Sequence, residues 1–198
     1  MNLPNKLSLT RLFLVGPFVA LFYLGIERPF TNGVSWSLIV FLIASATDYL
    51  DGYIARSCGL VTNFGKLFDP LADKILMASA LTMLAIERAV PAWIVIAILA
   101  REFFVTGIRQ IAVSQGVVIA AERLGKHKMV WQIITTIYFL LKIAADREAM
   151  FSFARGWFDI WVLSPAVFGN LCIYLTAVLT LVSGATYFWN NRGIFSDK

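Results

Sequence analysis

Six long apolar stretches set the limits on what this chain can fold into. They cover residues 12–26, 33–50, 70–86, 89–108, 129–145 and 167–189. Runs of roughly 15–23 residues suit helices crossing a hydrocarbon core of about 30 Å, the shorter ones with help from flanking turns. A closed β-barrel is the other structure that can span a bilayer, but these runs lack two-residue alternation. The sequence therefore predicts an all-α membrane protein with six transmembrane helices. Composition agrees: 59% of residues are hydrophobic and 15% charged, against about 45–50% and about 25% in soluble domains. That excludes an ordinary soluble globule and a disordered chain. No repeat or composition break divides residues 1–198, which read as one domain. The first apolar run has no small-residue cleavage site after it, so the N-terminus reads as retained. Residues 2–10 are polar with scattered leucines and predict a short juxtamembrane helix on the membrane surface. Cys58 and Cys172 lie in unlike surroundings and suggest neither a disulfide framework nor a metal site.

The net charge is +5. In a chain this apolar it points to anionic lipid rather than nucleic acid. Six spans put both termini and the connections near 56–66 and 122–128 on one side. Twelve of the 17 basic residues fall on that half, leaving Arg28, Arg88, Lys142, Arg147 and Arg155 on the other. The bias places both ends in the cytoplasm.

Four aspartates interrupt this apolar pattern. Asp48 and Asp51 are three apart at the end of the second stretch. Asp69 and Asp73 are four apart at the start of the third. Either spacing puts a pair on one helix face. A short polar connection would fold the two helices side by side and bring four carboxylates together near the cytoplasmic surface. Ionised carboxylates at the membrane edge are costly and repel one another, so a cluster of four calls for a compensating cation. Ligands made only of oxygen favour a hard ion, Mg²⁺ or Mn²⁺. Two such ions could share the four side chains and clamp attacking and leaving oxygens at phosphorus. Ordinary helix-end charge is the plainer reading of any one of these aspartates, but it does not account for two pairs in register. Gly52 and Ala55 offer close approach to the backbone, for a nucleotide base or for a neighbouring helix. Arg56 offers a planar fork for phosphate, or a cytoplasmic loop charge. Thr62 can donate to phosphate or ribose, or serve a turn.

The stretch reads D-x2-D-G-x2-A-R-x8-G-x3-D-x3-D from Asp48 to Asp73. It resembles the signature of the CDP-alcohol phosphatidyltransferase family at all eight fixed positions. The resemblance implies a six-helix membrane enzyme, a homodimer, that displaces CMP from a CDP-linked lipid with an alcohol at the cytoplasmic face. It implies that Asp48, Asp51, Asp69 and Asp73 bind two divalent cations and that Asp73 is the general base. Asn5, Thr10, Gly52, Ala55, Arg56 and Thr62 would contact CDP-diacylglycerol. Four further stretches, Asn2–Arg11, Asp69–Lys74, Ala100–Arg109 and Leu124–Lys128 followed by Gln132, are similar to bacterial members whose acceptor is glycerol 3-phosphate. Met129 stands where those members more often carry Thr. The location implied is the bacterial cytoplasmic membrane.

An acceptor bearing a phosphate dianion needs fixed cations besides metals. Arg101 and Arg109 share one apolar run and point within about a quarter turn of each other on a straight helix. Lys126 and Lys128 begin the next. These four are the candidate glycerol-phosphate ligands, with Glu102 organising the arginines. An Arg101–Glu102 structural ion pair, and a lysine loop that binds headgroups, are the plainer alternatives. His127 has no Ser or Cys nucleophile to serve and reads as a loop residue. Two rival functions remain at this point: a same-family enzyme taking phosphatidylglycerol as acceptor, and a divalent-cation transporter. Transporters place their sites at the bilayer midplane between repeated halves, and neither feature is visible here.

Overall fold

The computed structural model describes the backbone of residues 3–28, 31–58, 63–115, 117, 119 and 123–195, and the side chains of 9–28, 31–47, 72, 74–113, 115, 117, 119 and 124–193. The described residues are helical apart from short connections, with no strand among them. Six long helices, α1 (Leu3–Glu27), α2 (Gly33–Cys58), α3 (Asn63–Ile86), α4 (Ala92–Ser114), α5 (Arg123–Arg147) and α7 (Asn170–Asn191), form the bundle. A five-residue helix, α6 (Arg155–Asp159), lies in the connection between α5 and α7.

Each predicted stretch lies within or against one long helix, and the helices overrun the apolar runs. The polar opening is not a separate element, because residues 3–10 form the first turns of α1. Nothing between Asn5 and Arg11 breaks a helix, so the turns propagate into the apolar run. Lys126 and Lys128 likewise lie in the first turns of α5. Among the described residues, three segments are long and apolar enough to cross a membrane: Leu9–Glu27, Leu124–Arg147 and Pro165–Asn191. Helix α4 carries three charged residues, Arg101, Glu102 and Arg109, within an otherwise apolar length.

The main core cluster runs through the bundle, and a smaller one joins Val105 and Ile108 of α4 to Tyr187 of α7. Phe18 and Phe22 of α1 meet Phe41 of α2, Leu81 and Leu84 of α3, Ile94 and Ile98 of α4 and Leu140 of α5, all essentially buried. Helix α1 packs on α2 and α3, and α7 packs on α4 and α5. Backbones approach closely at the α1–α2 crossing. A Cβ on Gly33 would stand 2.7 Å from the Cα of Gly25, a separation only glycine permits. Between α5 and α7 the contact is polar: Thr135 and Thr176 hydroxyls lie 3.0 Å apart, and Thr135 also donates to the Cys172 carbonyl at 3.2 Å. Such hydroxyl bridges suit helices packed in lipid, where both faces are otherwise apolar.

One end of the bundle is fixed by a buried carboxylate. Glu148, just past α5, accepts hydrogen bonds from the backbone N–H groups of Val34 and Ser35, each at 2.7 Å, and from the Ser35 hydroxyl at 2.5 Å. These donors belong to the first turn of α2, which has no i−4 partners of its own and carries positive dipole charge. At the same end Arg147 pairs with Glu87 at 2.7 Å, joining the end of α5 to the end of α3. Arg155 donates to the Ala145 and Asp146 carbonyls and closes the last turn of α5. The start of α2, the end of α3 and the end of α5 therefore share one end of the bundle. The end of α2, the start of α3 and the start of α5 run toward the other.

Candidate active site

The motif aspartates lie toward the connected ends of two adjacent helices, at similar residue counts from the α2–α3 connection. Asp48 and Asp51 lie on α2, some 14 residues or about 21 Å along the helix from the end held by Glu148. Asp69 and Asp73 lie in the first half of α3. Helices α2 and α3 contact each other, and both pack on α1. The side chains of Asn5, Asp48, Asp51, Gly52, Ala55, Arg56, Asp69 and Asp73 lie outside the described residues, as does Thr62 altogether. No group of three or more potential metal ligands occurs among the described residues. What bears on a metal here is the donor set and its backbone register. Two helical pairs of carboxylates, with oxygen donors alone, fit hard dications.

Directly after Asp73, Lys74 opens a cluster of described side chains. Its ammonium group donates to the Thr106 hydroxyl on α4. That hydroxyl in turn donates to the Glu102 carbonyl at 2.6 Å. The Glu102 carboxylate receives Lys128 from α5 and, at 3.4 Å, Arg101 from its own helix. Lys128 is buried, with 3% exposure, although it is a lysine near a helix start. Charges this deep are tolerated because they meet a fixed carboxylate. The Nε of Arg101 is buried without a hydrogen-bond partner among the described residues. A buried unsatisfied donor of this kind costs about 1–3 kcal/mol, and an anion brought to it would recover that loss.

These side chains line a cavity of about 130 Å³ between α3, α4 and α5. Lys74, Arg101, Glu102 and Lys128 supply its polar wall, and Met77, Leu99 and Met129 part of its apolar one. Arg101 reaches it past α7, where Gly184 clears the path. A Cβ on Gly184 would stand 2.9 Å from the Arg101 Cγ.

Of the four predicted phosphate ligands, Arg101 and Lys128 meet at the cavity. Arg109 is exposed farther along α4, its guanidinium 5.8 Å from the centre of the Tyr187 ring and its Nε 3.5 Å from the Tyr187 hydroxyl. Lys126 is exposed on the first turn of α5, and neither residue is part of the cavity lining. Glu102 holds Arg101, as expected, but its other partner is Lys128 rather than Arg109. Thr10 and His127 are exposed. Four residues absent from the sequence-derived site gain a place here: Lys74, Thr106, Gly184 and Tyr187. Lys74 was visible as the cation following Asp73, whereas Tyr187 gave no signal above the apolar pattern of its helix.

Comparison with known proteins points the same way. A sequence model of the family described as CDP-alcohol phosphatidyltransferase matches residues 1–182. The chain is 38% identical over 198 residues to a protein of Bacillus subtilis (strain 168) named CDP-diacylglycerol–glycerol-3-phosphate 3-phosphatidyltransferase, with 96% of this chain and 95% of that protein covered. A Rickettsia typhi protein of the same name is 34% identical over 189 residues, covering 94% and 95%. One from Treponema pallidum is 32% identical over 196 residues, covering 94% and 88%.

Proposed function

This chain belongs to the CDP-alcohol phosphatidyltransferase family, and on that premise we propose that it transfers the phosphatidyl group of CDP-diacylglycerol to glycerol 3-phosphate, releasing CMP. The observation that carries the choice of acceptor is the cavity between α3, α4 and α5, whose wall presents Arg101, Lys128 and Lys74, the residue that follows Asp73 in the chain. A phosphate dianion suits that wall, and phosphatidylglycerol, whose only phosphate is a monoanionic diester, needs a lipid groove more than a cationic recess.

In this reading Asp48, Asp51, Asp69 and Asp73 hold two dications, Mg²⁺ or Mn²⁺. Bound there, the ions would neutralise the pyrophosphate oxygens and stabilise the charge that develops on CMP. The protein's own groups do the rest. Arg101 and Lys128 hold the acceptor phosphate and orient its free primary hydroxyl. Glu102 keeps both cations in place through their ion pairs. Asp73 takes the hydroxyl proton as the new O–P bond forms at the phosphorus bearing diacylglycerol. The bond from that phosphorus to CMP then breaks. Positioning and electrostatics account for the chemistry, and no covalent enzyme intermediate is needed. Gly52, Ala55 and Arg56 on α2, with Asn5, Thr10 and Thr62, contact the donor's CDP portion.

Six crossings by α1–α5 and α7 complete the reading, with both termini and the aspartates on the cytoplasmic side of a bacterial cytoplasmic membrane. The basic bias of that half supports this orientation. The donor's acyl chains then stay in the bilayer while glycerol 3-phosphate arrives from the cytoplasm. The chain acts as one domain, and two copies associate.

The test is to supply purified protein with CDP-diacylglycerol, Mg²⁺ and either acceptor. CMP release with glycerol 3-phosphate and not with phosphatidylglycerol is expected. The reverse preference would reassign the acceptor. Near-normal turnover by Asp73→Asn would refute its role as base.

A further inference from the structure

The connection between α5 and α7 has no part in the chemistry above, yet it carries the densest set of outward-facing aromatic residues in the described structure. Between residues 150 and 163, Ala154 and Phe158 are buried. Phe158 packs edge-on against Tyr138 of α5 with ring centres 5.3 Å apart, and the Tyr138 hydroxyl donates to the Leu163 carbonyl at 2.8 Å. This inner face fixes the segment to the bundle. The outer face is Phe153 (66% exposed), Trp157 (51%), Ile160 (51%) and Trp161 (76%). Phe153 and Trp157 stack edge-to-face at 5.8 Å. Arg155 donates to the α5 carbonyls while remaining exposed, and Asp159 is exposed as well. In water, such a face would be an unexplained apolar patch.

We propose that residues 150–163 lie flat in the membrane–water interface of the leaflet opposite the aspartates, with Phe153, Trp157 and Trp161 seated among lipid headgroups and the first acyl carbons. Three observations favour lipid over a protein partner. The segment is joined at both ends to helices long and apolar enough to cross the bilayer, so both its ends sit at a membrane surface. Its outer face continues into outward apolar residues of α7, namely Leu171, Tyr174 and Val178, which form a wall toward the acyl chains. Its residue types are those whose amphipathic rings collect at the headgroup level. The contacts of Glu148 with α2 assign the leaflet, because they place this segment at the end of the bundle away from Asp48 and Asp51. The inference rests on α5 and α7 spanning the membrane as proposed above.

Proteins retaining Trp161 alone or Trp157 alone, other tryptophans being replaced by Phe, are reconstituted in phosphatidylcholine–phosphatidylglycerol vesicles. The vesicle lipids carry a nitroxide either near the headgroup or near the chain end. The expected result is at least about twofold stronger quenching by the shallow nitroxide than by the deep one, with little quenching by aqueous iodide. Iodide quenching without nitroxide quenching would place the segment in water and overturn the proposal. Protection from all three quenchers would mean a protein or a second copy covers the face, and would overturn it equally. A Val178→Trp protein otherwise free of tryptophan tests the premise separately. Its quenching by the deep nitroxide is expected, and failure there would refute the spanning of α7 rather than the interfacial seat alone. Should the multiply substituted proteins not fold, fluorotryptophan incorporated into the unsubstituted chain gives the same comparison by fluorine NMR broadening with paramagnetic lipids.

Discussion

Replacing Glu148 by Ala should be among the most destabilising single changes outside the apolar core. The carboxylate is 3% exposed and accepts from two backbone N–H groups and one hydroxyl of α2. In Glu148→Ala the Ser35 hydroxyl can turn to another acceptor, but the N–H groups of Val34 and Ser35 cannot. Each buried unsatisfied donor costs about 1–3 kcal/mol. Loss of an anion at the positive end of a helix adds about 0.5–1 kcal/mol. The sum is about 2.5–7 kcal/mol, and at about 2–4 °C per kcal/mol for a chain of this size it becomes a Tm drop on the order of 10 °C. Glu148→Gln keeps one carbonyl acceptor but turns an NH₂ toward the second donor, so roughly half that drop is expected. Thermal unfolding in detergent, followed by tryptophan fluorescence, measures both. At temperatures where the variant remains folded, KM for both substrates should be unchanged, because the site lies at the other end of α2. A Glu148→Ala protein melting within about 1–2 °C of the unsubstituted one would refute the idea that this carboxylate anchors the helix.

The acceptor site gives further expectations. Gly184→Ala places a methyl group 2.9 Å from the middle of the Arg101 stem, which must move, so KM for glycerol 3-phosphate should rise about tenfold, equivalent to about 1.4 kcal/mol, with little change in KM for the donor. Lys128→Ala removes a buried cation at the cavity and should cost at least about 100-fold in kcat/KM, whereas exposed Lys126→Ala should stay within about threefold; equal effects in steady-state assays would contradict the cavity assignment. Glu102→Gln leaves Arg101 and Lys128 without their shared carboxylate and should reduce kcat/KM for the acceptor about tenfold or more, read in the same assay.

The helices were legible because their apolar runs are long and the bilayer fixes how long they must be. Their ends were not, since a run of hydropathy stops at the first charged residues while the helix continues to its next break. Lys126, Lys128 and the opening turns of α1 fall in that margin. The aspartates were legible as two helical pairs, and α2 and α3 carry them at that spacing; their meeting around an ion is a proposal that rests on the sequence. The acceptor cluster was only half legible. Arg101 stood out inside an apolar run, but burial separates Lys128 from Lys126, and which of two neighbouring lysines turns inward depends on where Glu102 lies in space. Gly184 and Tyr187 are meaningful only through their contacts with Arg101 and Arg109. The connection containing α6 was missed because a five-residue helix is too short to show periodicity.

The claim on which the rest depends is that carboxylate-bound dications enable attack on the nucleotide-linked lipid. Its most direct measurement is the rate of CMP formation from CDP-diacylglycerol and glycerol 3-phosphate after exhaustive chelation, then after adding back Mg²⁺ or Mn²⁺, with Asp69→Asn assayed in parallel. The account predicts no CMP from the stripped protein, recovery on adding either ion, and no recovery in Asp69→Asn although that protein remains folded. Undiminished CMP formation by the stripped protein would contradict it.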